Sequence, residues 1–313
     1  MHCVGANTIC MFQMALTNGT KGYFTIITIT TLDEKLQSPM YYFLKQLSIL
    51  DTSFISVTIP QSTDNSLTGN GYISYAQCML QVFFFTSLGW AEVAILTVMS
   101  YDHSVAICFS LHYELIMDPR KCKRAVTALW VSGGTTGNLH MAVTLSLTFC
   151  KAQVFHQFFC DVPQIVKLSC SNDYLAVERI DIVVIGAASA CFISIAFSYT
   201  HIFSTVLRIP SAEGRSKVFS TCLPHLCVVS IFLSTGMWAY LKPTSDSSTT
   251  LNLLLSIFYT VIPPLNPVIY SLRNETMKRA IQKLMLDHEF TEKTMVFPMP
   301  LINLQYYVSG NFY

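Results

Sequence analysis

The sequence predicts an all-α membrane protein: a bundle of seven transmembrane helices, the first short or defective, followed by a short amphipathic helix. Three observations carry this prediction. Of 313 residues, 52% are hydrophobic and only 12% charged, whereas soluble domains carry about 25% charged residues. Apolar runs of about 20 residues, the length a helix needs to cross a bilayer, recur along the chain. Basic residues are shared unevenly between alternate connections, as expected for a multi-pass chain. The formal net charge of +1 implies no nucleic-acid or polyanion partner.

The spans fall near residues 10–32, 40–60, 79–101, 125–149, 181–207, 218–241 and 251–270. In hydrocarbon the backbone must satisfy its own hydrogen bonds, so runs of this length are helices. The last six are clear and the first is weak. Tyr23–Leu32 is apolar or threonine-rich but only about half the length needed to cross. Extending it back to residue 10 takes in Lys21, and a midplane lysine costs about 2.5–3.5 kcal/mol unless it snorkels or faces the bundle. The first residues lack a basic region before an apolar core, so no cleavable signal peptide is expected. After the last span, residues 275–286 place Met277, Ile281 and Leu284 against Lys278, Arg279 and Lys283, a pattern suited to a helix lying on the inner leaflet. Residues 1–286 thus form one membrane domain and 287–313 a cytoplasmic tail.

Charge orients the bundle. One set of connections holds Lys35, then Arg120, Lys121, Lys123 and Arg124, then Arg208, Arg215 and Lys217, with Arg273, Lys278, Arg279 and Lys283 after the last span. The opposite loops hold only Lys151, Lys167, Arg179 and Lys242, largely offset by acids. The inner end of the third span and the C-terminus are therefore cytoplasmic, and seven spans put the N-terminus outside. Of eleven cysteines, Cys78, Cys150, Cys160 and Cys170 lie in or beside outer loops, where disulfides persist; four cysteines allow three connectivities. Cys108, Cys122, Cys191, Cys222 and Cys227 lie in spans or on the inner side and are expected to be thiols, while Cys3 and Cys10 are unassigned.

Several polar residues stand out against the apolar background. Asp51 and Glu92 sit inside spans and Asn266 precedes Pro267. Ionisable groups at that depth usually face the bundle interior. They form either a shared pocket for a cation or protons, or a buried hydrogen-bonded network that needs no ion. The stretch Met99-Ser100-Tyr101-Asp102-His103-Ser104-Val105-Ala106-Ile107-Cys108 places an acid and a titratable base at the inner end of the third span. His156 and Cys160 fall short of the three or four ligands that a metal site needs, so no metal is expected. Asn18-Gly19-Thr20 fits the glycosylation sequon but lies within or beside the doubtful first span.

Five blocks, in order, resemble the olfactory receptors, a branch of rhodopsin-like G-protein-coupled receptors. They are Pro39-Met40-Tyr41-Tyr42-Phe43-Leu44 with Leu47–Asp51, the Met99–Cys108 stretch, Ser198-Tyr199, Lys217–Leu226, and Pro264–Asn274. The resemblance runs from about Gly22 to Met285. It implies a receptor that binds a small volatile odorant in the outer half of the bundle and activates a heterotrimeric G protein of the stimulatory olfactory type, within membrane lipid and without cofactor or catalysis. With helical spacing it marks Phe85, Thr86, Gly89, Trp90, Val93, Leu233, Tyr240, Ser256 and Tyr259 for the ligand pocket. It marks Asp102, His103, Tyr199, His225, Asn266, Pro267 and Tyr270 as the switch that meets the G protein. It also favours disulfides Cys78–Cys160 and Cys150–Cys170.

The departures from the family pattern bear on mechanism. Where the family has Asp-Arg-Tyr, this chain has Asp102-His103-Ser104. Arginine is always charged and offers a planar fork of donors, whereas histidine is shorter and titrates near neutral pH. A weak, pH-sensitive pair between His103 and Asp102 is expected, with weakened coupling or a less firmly locked resting state. Gly22-Tyr23 stands where the family's first helix has Gly-Asn, and the segment after Leu286 looks unrelated. These features raise a second reading: a truncated or decaying gene product, or a mispredicted reading frame, giving a signalling-incompetent receptor retained in the endoplasmic reticulum. A third, an ion-coupled transporter using Asp51 and Glu92, lacks the internal repeat such folds often show.

Overall fold

A computed structural model describes residues 22–31, 38–68, 74–147, 162, 165 and 174–241. Residues 22–31 form helix α1. Then come α2 (Pro39–Thr68), α3 (Tyr75–Cys108), a 3-10 turn (Ser110–His112), α4 (Tyr113–Ile116), α5 (Pro119–Leu145), α6 (Tyr174–Val206) and α7 (Ala212–Leu241). No strand occurs among the described residues. This is the helical bundle expected, with α2, α3, α5, α6 and α7 as the second to sixth spans.

Helices α3 and α5 start ahead of their apolar runs because side-chain caps fix their first turns. At the start of α3, Ser74 Oγ accepts from the Gln77 amide at 3.2 Å and Gln77 Oε1 accepts from the Ser74 amide at 3.3 Å, a reciprocal capping box. Asp118 caps α5 by accepting from the Arg120 amide at 2.7 Å, with Pro119 in the first turn, where proline's missing N–H costs nothing. The third span, expected over 79–101, runs from Tyr75 to Cys108 and carries Asp102 and His103 inside the helix. The fifth begins at Tyr174 rather than 181, and the sixth at Ala212 rather than 218. The fourth covers Pro119–Leu145 rather than 125–149. Of the first span only residues 22–31 are described; Lys21, the 251–270 span and the 275–286 helix lie outside the described residues.

Two described helices, Tyr75–Cys108 and Leu175–Val206, are apolar and long enough to cross a membrane on composition alone. Helices α2, α5 and α7 reach 27 to 30 residues but mix in hydroxyls, glycine and terminal charge. Hydroxyls are hidden by donation to the preceding turn, as Ser48 does to the Leu44 carbonyl at 2.9 Å and Thr144 to the His140 carbonyl at 2.7 Å. The long α6 turns Ile182, Val183, Ile193 and Phe197 outward, each more than 60% exposed, which suits lipid and not water.

Helix α3 is the hub and meets α2, α5, α6 and α7. Its contact with α5 is the most extensive, and two glycines explain why. A Cβ on Gly133 would lie 2.6 Å from the Ser87 carbonyl oxygen, and one on Gly137 2.6 Å from that of Phe83. Only glycine lets the two backbones come so close, the usual device for holding helices together in lipid. The inner core gathers Phe43, Leu47, Leu50, Leu96, Met99, Tyr199, Ile202 and Val228. A smaller outer cluster holds Cys78, Met79, Val82, Leu147, Val162, Ile165 and Val177.

Candidate functional site

The inner halves of α3, α6 and α7 meet on His225, whose side chain is fully buried. Its Nε2 lies 3.0 Å from the Leu96 carbonyl oxygen and its Nδ1 2.7 Å from Tyr199 Oη. A carbonyl only accepts, so in the neutral ring Nε2 carries the proton and Tyr199 donates to Nδ1. One imidazole thus joins three helices through two hydrogen bonds. The Tyr199 ring stacks on it with centroids 5.7 Å apart. His103, also buried, meets His225 edge-to-face at 5.4 Å and 83°.

Asp102 turns the other way. Tyr113 Oη, from α4 in the inner connection, donates to Asp102 Oδ1 at 2.8 Å. Burial, then the adjacent Asp102 charge, pushes the pKa of the Tyr113 hydroxyl up, so it stays a donor across physiological pH. The expected pair between Asp102 and His103 does not form. Neighbours on a helix point about 100° apart and do not face each other; one meets Tyr113, the other His225. Nearby, Cys108 Sγ and Thr205 Oγ1 lie 3.3 Å apart, joining the inner ends of α3 and α6.

In the membrane interior Asp51 of α2 and Glu92 of α3 are both buried, on helices that pack together; Asn266, the third expected interior polar group, lies outside the described residues. Along α3, Phe85 meets Phe54 of α2 with ring centroids 4.8 Å apart. The Thr86 hydroxyl donates to the Val82 carbonyl. Trp90 Nε1 donates to Ser132 Oγ of α5 at 3.2 Å, which turns the indole nitrogen to the fourth span. A Cβ on Gly89 would meet no described atom within 4 Å. Val93 is half-buried.

Residues 10–288 match the family described as olfactory receptor. The chain belongs to the olfactory receptor family. It is 58% identical to olfactory receptor 14J1 of Homo sapiens over 91% of this chain and 88% of that protein. It is also 49% identical to olfactory receptor 14A16 of Homo sapiens over 84% and 85% of the two chains, and 51% identical to olfactory receptor 14L1 of Homo sapiens over 84% and 81%. The seven-helix fold follows, as does the function class: a multi-pass plasma-membrane odorant receptor and not an enzyme. Retention in the endoplasmic reticulum draws no support from these relatives.

Several expected positions of this receptor lie outside the described residues: Ser256, Tyr259, Pro267, Tyr270, Asn18, Cys150, Cys160, Cys170 and the side chains of Leu233 and Tyr240. Cys78 is disulfide-bonded, but its partner is outside the described residues. Cys108, Cys122, Cys191, Cys222 and Cys227 are free. Three features escaped the sequence reading. Tyr113 is an inner-loop aromatic with no motif around it. The Leu96 acceptor is backbone and has no side-chain signature. His140, 2% exposed, lies 3.8 Å from Asp181 across α5 and α6; a histidine and an acid in consecutive spans were the available signal.

Proposed function

We propose that this receptor converts odorant binding in the outer half of the bundle into activation of a heterotrimeric G protein, with Tyr199, His225 and His103 as the resting lock. The observation that carries this reading is the buried His225 shared between the Leu96 carbonyl and the Tyr199 hydroxyl. Moving the inner end of α7 outward requires both hydrogen bonds to break, each worth about 0.5–1.5 kcal/mol net. An odorant has only to favour the opened arrangement by a comparable differential affinity.

The pocket we assign to the odorant is bordered by Phe85, Thr86, Gly89 and Val93 of α3, and the family resemblance adds Leu233, Tyr240, Ser256 and Tyr259 to it. That no described atom lies within 4 Å of a Cβ at Gly89 is consistent with this reading. So is the bonding of the Thr86 hydroxyl to its own helix, which leaves a mostly apolar wall suited to a small volatile molecule. The Cys78–Cys160 and Cys150–Cys170 bridges would brace the outer loop above it, and the stimulatory olfactory G protein is the partner the family resemblance points to.

His103 takes the place of the family's arginine and lies edge-on against His225. Its short neutral ring supplies packing but no fork of charged donors. His103→Arg tests the reading: basal and odorant-stimulated cyclic-nucleotide signals, compared at equal surface level, should both change. Unchanged signals would contradict a switching role for this position.

A further inference from the structure

A partly open cavity of about 520 Å³ lies in the inner half of the bundle, lined in part by Thr97 and Ser100 of α3, Met117 at the end of α4, Lys121 and Ala125 of α5, and Ser194 of α6. Its volume is that of a small-molecule site, and it is separate from the outer pocket. Of the five hydroxyls in its wall, those of Tyr101 and Ser198 among them, three are bonded to their own helices. Thr97 donates to the Val93 carbonyl at 2.8 Å, Ser100 to that of Thr97 at 2.7 Å, and Ser194 to that of Ala190 at 2.9 Å. Phe43, Val98, Ile116, Met117 and Ala125 make the interior mostly apolar, with one charged lining residue, Lys121.

Lys121 Nζ donates to the Leu115 carbonyl at 2.9 Å and the Ile116 carbonyl at 3.5 Å. An ammonium has three donors, so one is left to point outward. Arg120, Lys123 and Arg124 occupy exposed positions of the same helix start, Arg124 three residues on and so on the face of Lys121, against two acids, Glu114 and Asp118. On the α6 side the wall adjoins Ile193 and Phe197, which are 67% and 66% exposed and face the bilayer in a multi-pass protein. An apolar crevice reached from lipid, with a basic cluster at its cytoplasmic rim, matches an amphiphile with an anionic head.

We propose that this cavity holds one acyl chain of an anionic phospholipid of the inner leaflet, with the headgroup on Lys121 and its basic neighbours. The assignment rests on the charge-based orientation of the bundle, not on the identity of the odorant or the G protein. The bound chain would lie behind Met117, whose amide donates to the Tyr113 carbonyl at 2.8 Å. The lipid therefore braces the segment that presents Tyr113 to Asp102.

The test uses the full-length receptor in phosphatidylcholine nanodiscs containing a trace of phosphatidylserine or phosphatidylcholine, either one carrying a diazirine in its acyl chain. On irradiation, the phosphatidylserine probe should label peptides covering 116–125 and 190–198 about fivefold more than the phosphatidylcholine probe, since one basic residue near the surface gives about that preference. Lys121→Gln should lower labelling by the serine lipid towards that of the choline lipid. Ala125→Trp, which fills the cavity, should remove the excess labelling by the serine lipid and leave only the bulk-lipid labelling of bilayer-facing residues such as Ile193 and Phe197; Ser194→Phe, on the opposite wall, does the same if the tryptophan variant is not monodisperse. Equal labelling by the two lipids in the unmodified receptor would overturn the proposal, as would undiminished labelling in a monodisperse cavity-filled variant.

Discussion

Tyr199 Oη lies 2.7 Å from His225 Nδ1 and donates to it, while the same imidazole donates from Nε2 to the Leu96 carbonyl at 3.0 Å. Both side chains are buried, so no water stands ready to replace the tyrosine. Tyr199→Phe keeps the stacked ring but leaves Nδ1 without its donor, at a cost of about 1–3 kcal/mol to the resting arrangement. Basal signalling per surface receptor should rise. A bioluminescent cyclic-nucleotide reporter normalised to surface epitope checks this, and unchanged basal output would count against the lock.

Tyr113→Phe removes the donor to Asp102 Oδ1. Detergent-solubilised receptor should melt several degrees lower, reflecting about 1–3 kcal/mol for an acceptor left buried without its partner. The pH behaviour follows from the raised pKa of Tyr113, driven by burial first and the Asp102 charge second. A group held protonated in the folded state contributes fully below its unfolded pKa, about 10 for tyrosine, and its contribution is lost only above that. The difference in melting temperature between Tyr113→Phe and the unmodified receptor should therefore stay constant from neutral pH to about pH 9 and shrink only in strong alkali.

Gly137→Ala places a methyl 2.6 Å from the Phe83 carbonyl oxygen, against backbone that cannot swing aside. Overpacking of this kind costs about 1–3 kcal/mol, and surface expression should fall. Gly134→Ala, three residues away on the same helix, meets no described atom within 4 Å and should express normally. Flow cytometry of the two variants side by side is sufficient; equal loss in both would mean that close approach of α3 and α5 is not what glycine provides.

Ser132→Ala removes the acceptor for Trp90 Nε1. The α3–α5 seam should lose about 0.5–1.5 kcal/mol. A Trp90→Phe variant should lose a similar amount, and the double variant little more than either. Melting temperatures of the three variants measure this coupling, and full additivity would show that the hydrogen bond contributes nothing.

How much of this was legible beforehand differs by residue. The helices and their order follow from apolar runs and from basic residues at alternate ends, because lipid leaves the backbone few alternatives. Tyr199 and His225 were named by the family resemblance, yet nothing in a sequence pairs two side chains 26 positions apart with a carbonyl on a third helix. Asp102 and His103 show the opposite failure. Adjacency in sequence suggested an ion pair, but helical geometry sends neighbours to different partners. Helix ends were misjudged where Ser74, Gln77 and Asp118 extend the backbone past the hydrophobic run. The Lys121 cavity was invisible because it is a space between α3, α5 and α6, not a motif.

The most direct test of the central claim is a double-mutant cycle on Tyr199→Phe and His225→Phe, reading basal G-protein activation at matched surface level. If the two side chains form one lock, the double variant should signal no more than the stronger single one, a non-additivity of about 0.5–3 kcal/mol when converted to free energy. If the effects simply add, Tyr199 and His225 act independently, and the hydrogen bond between them does not hold the resting receptor.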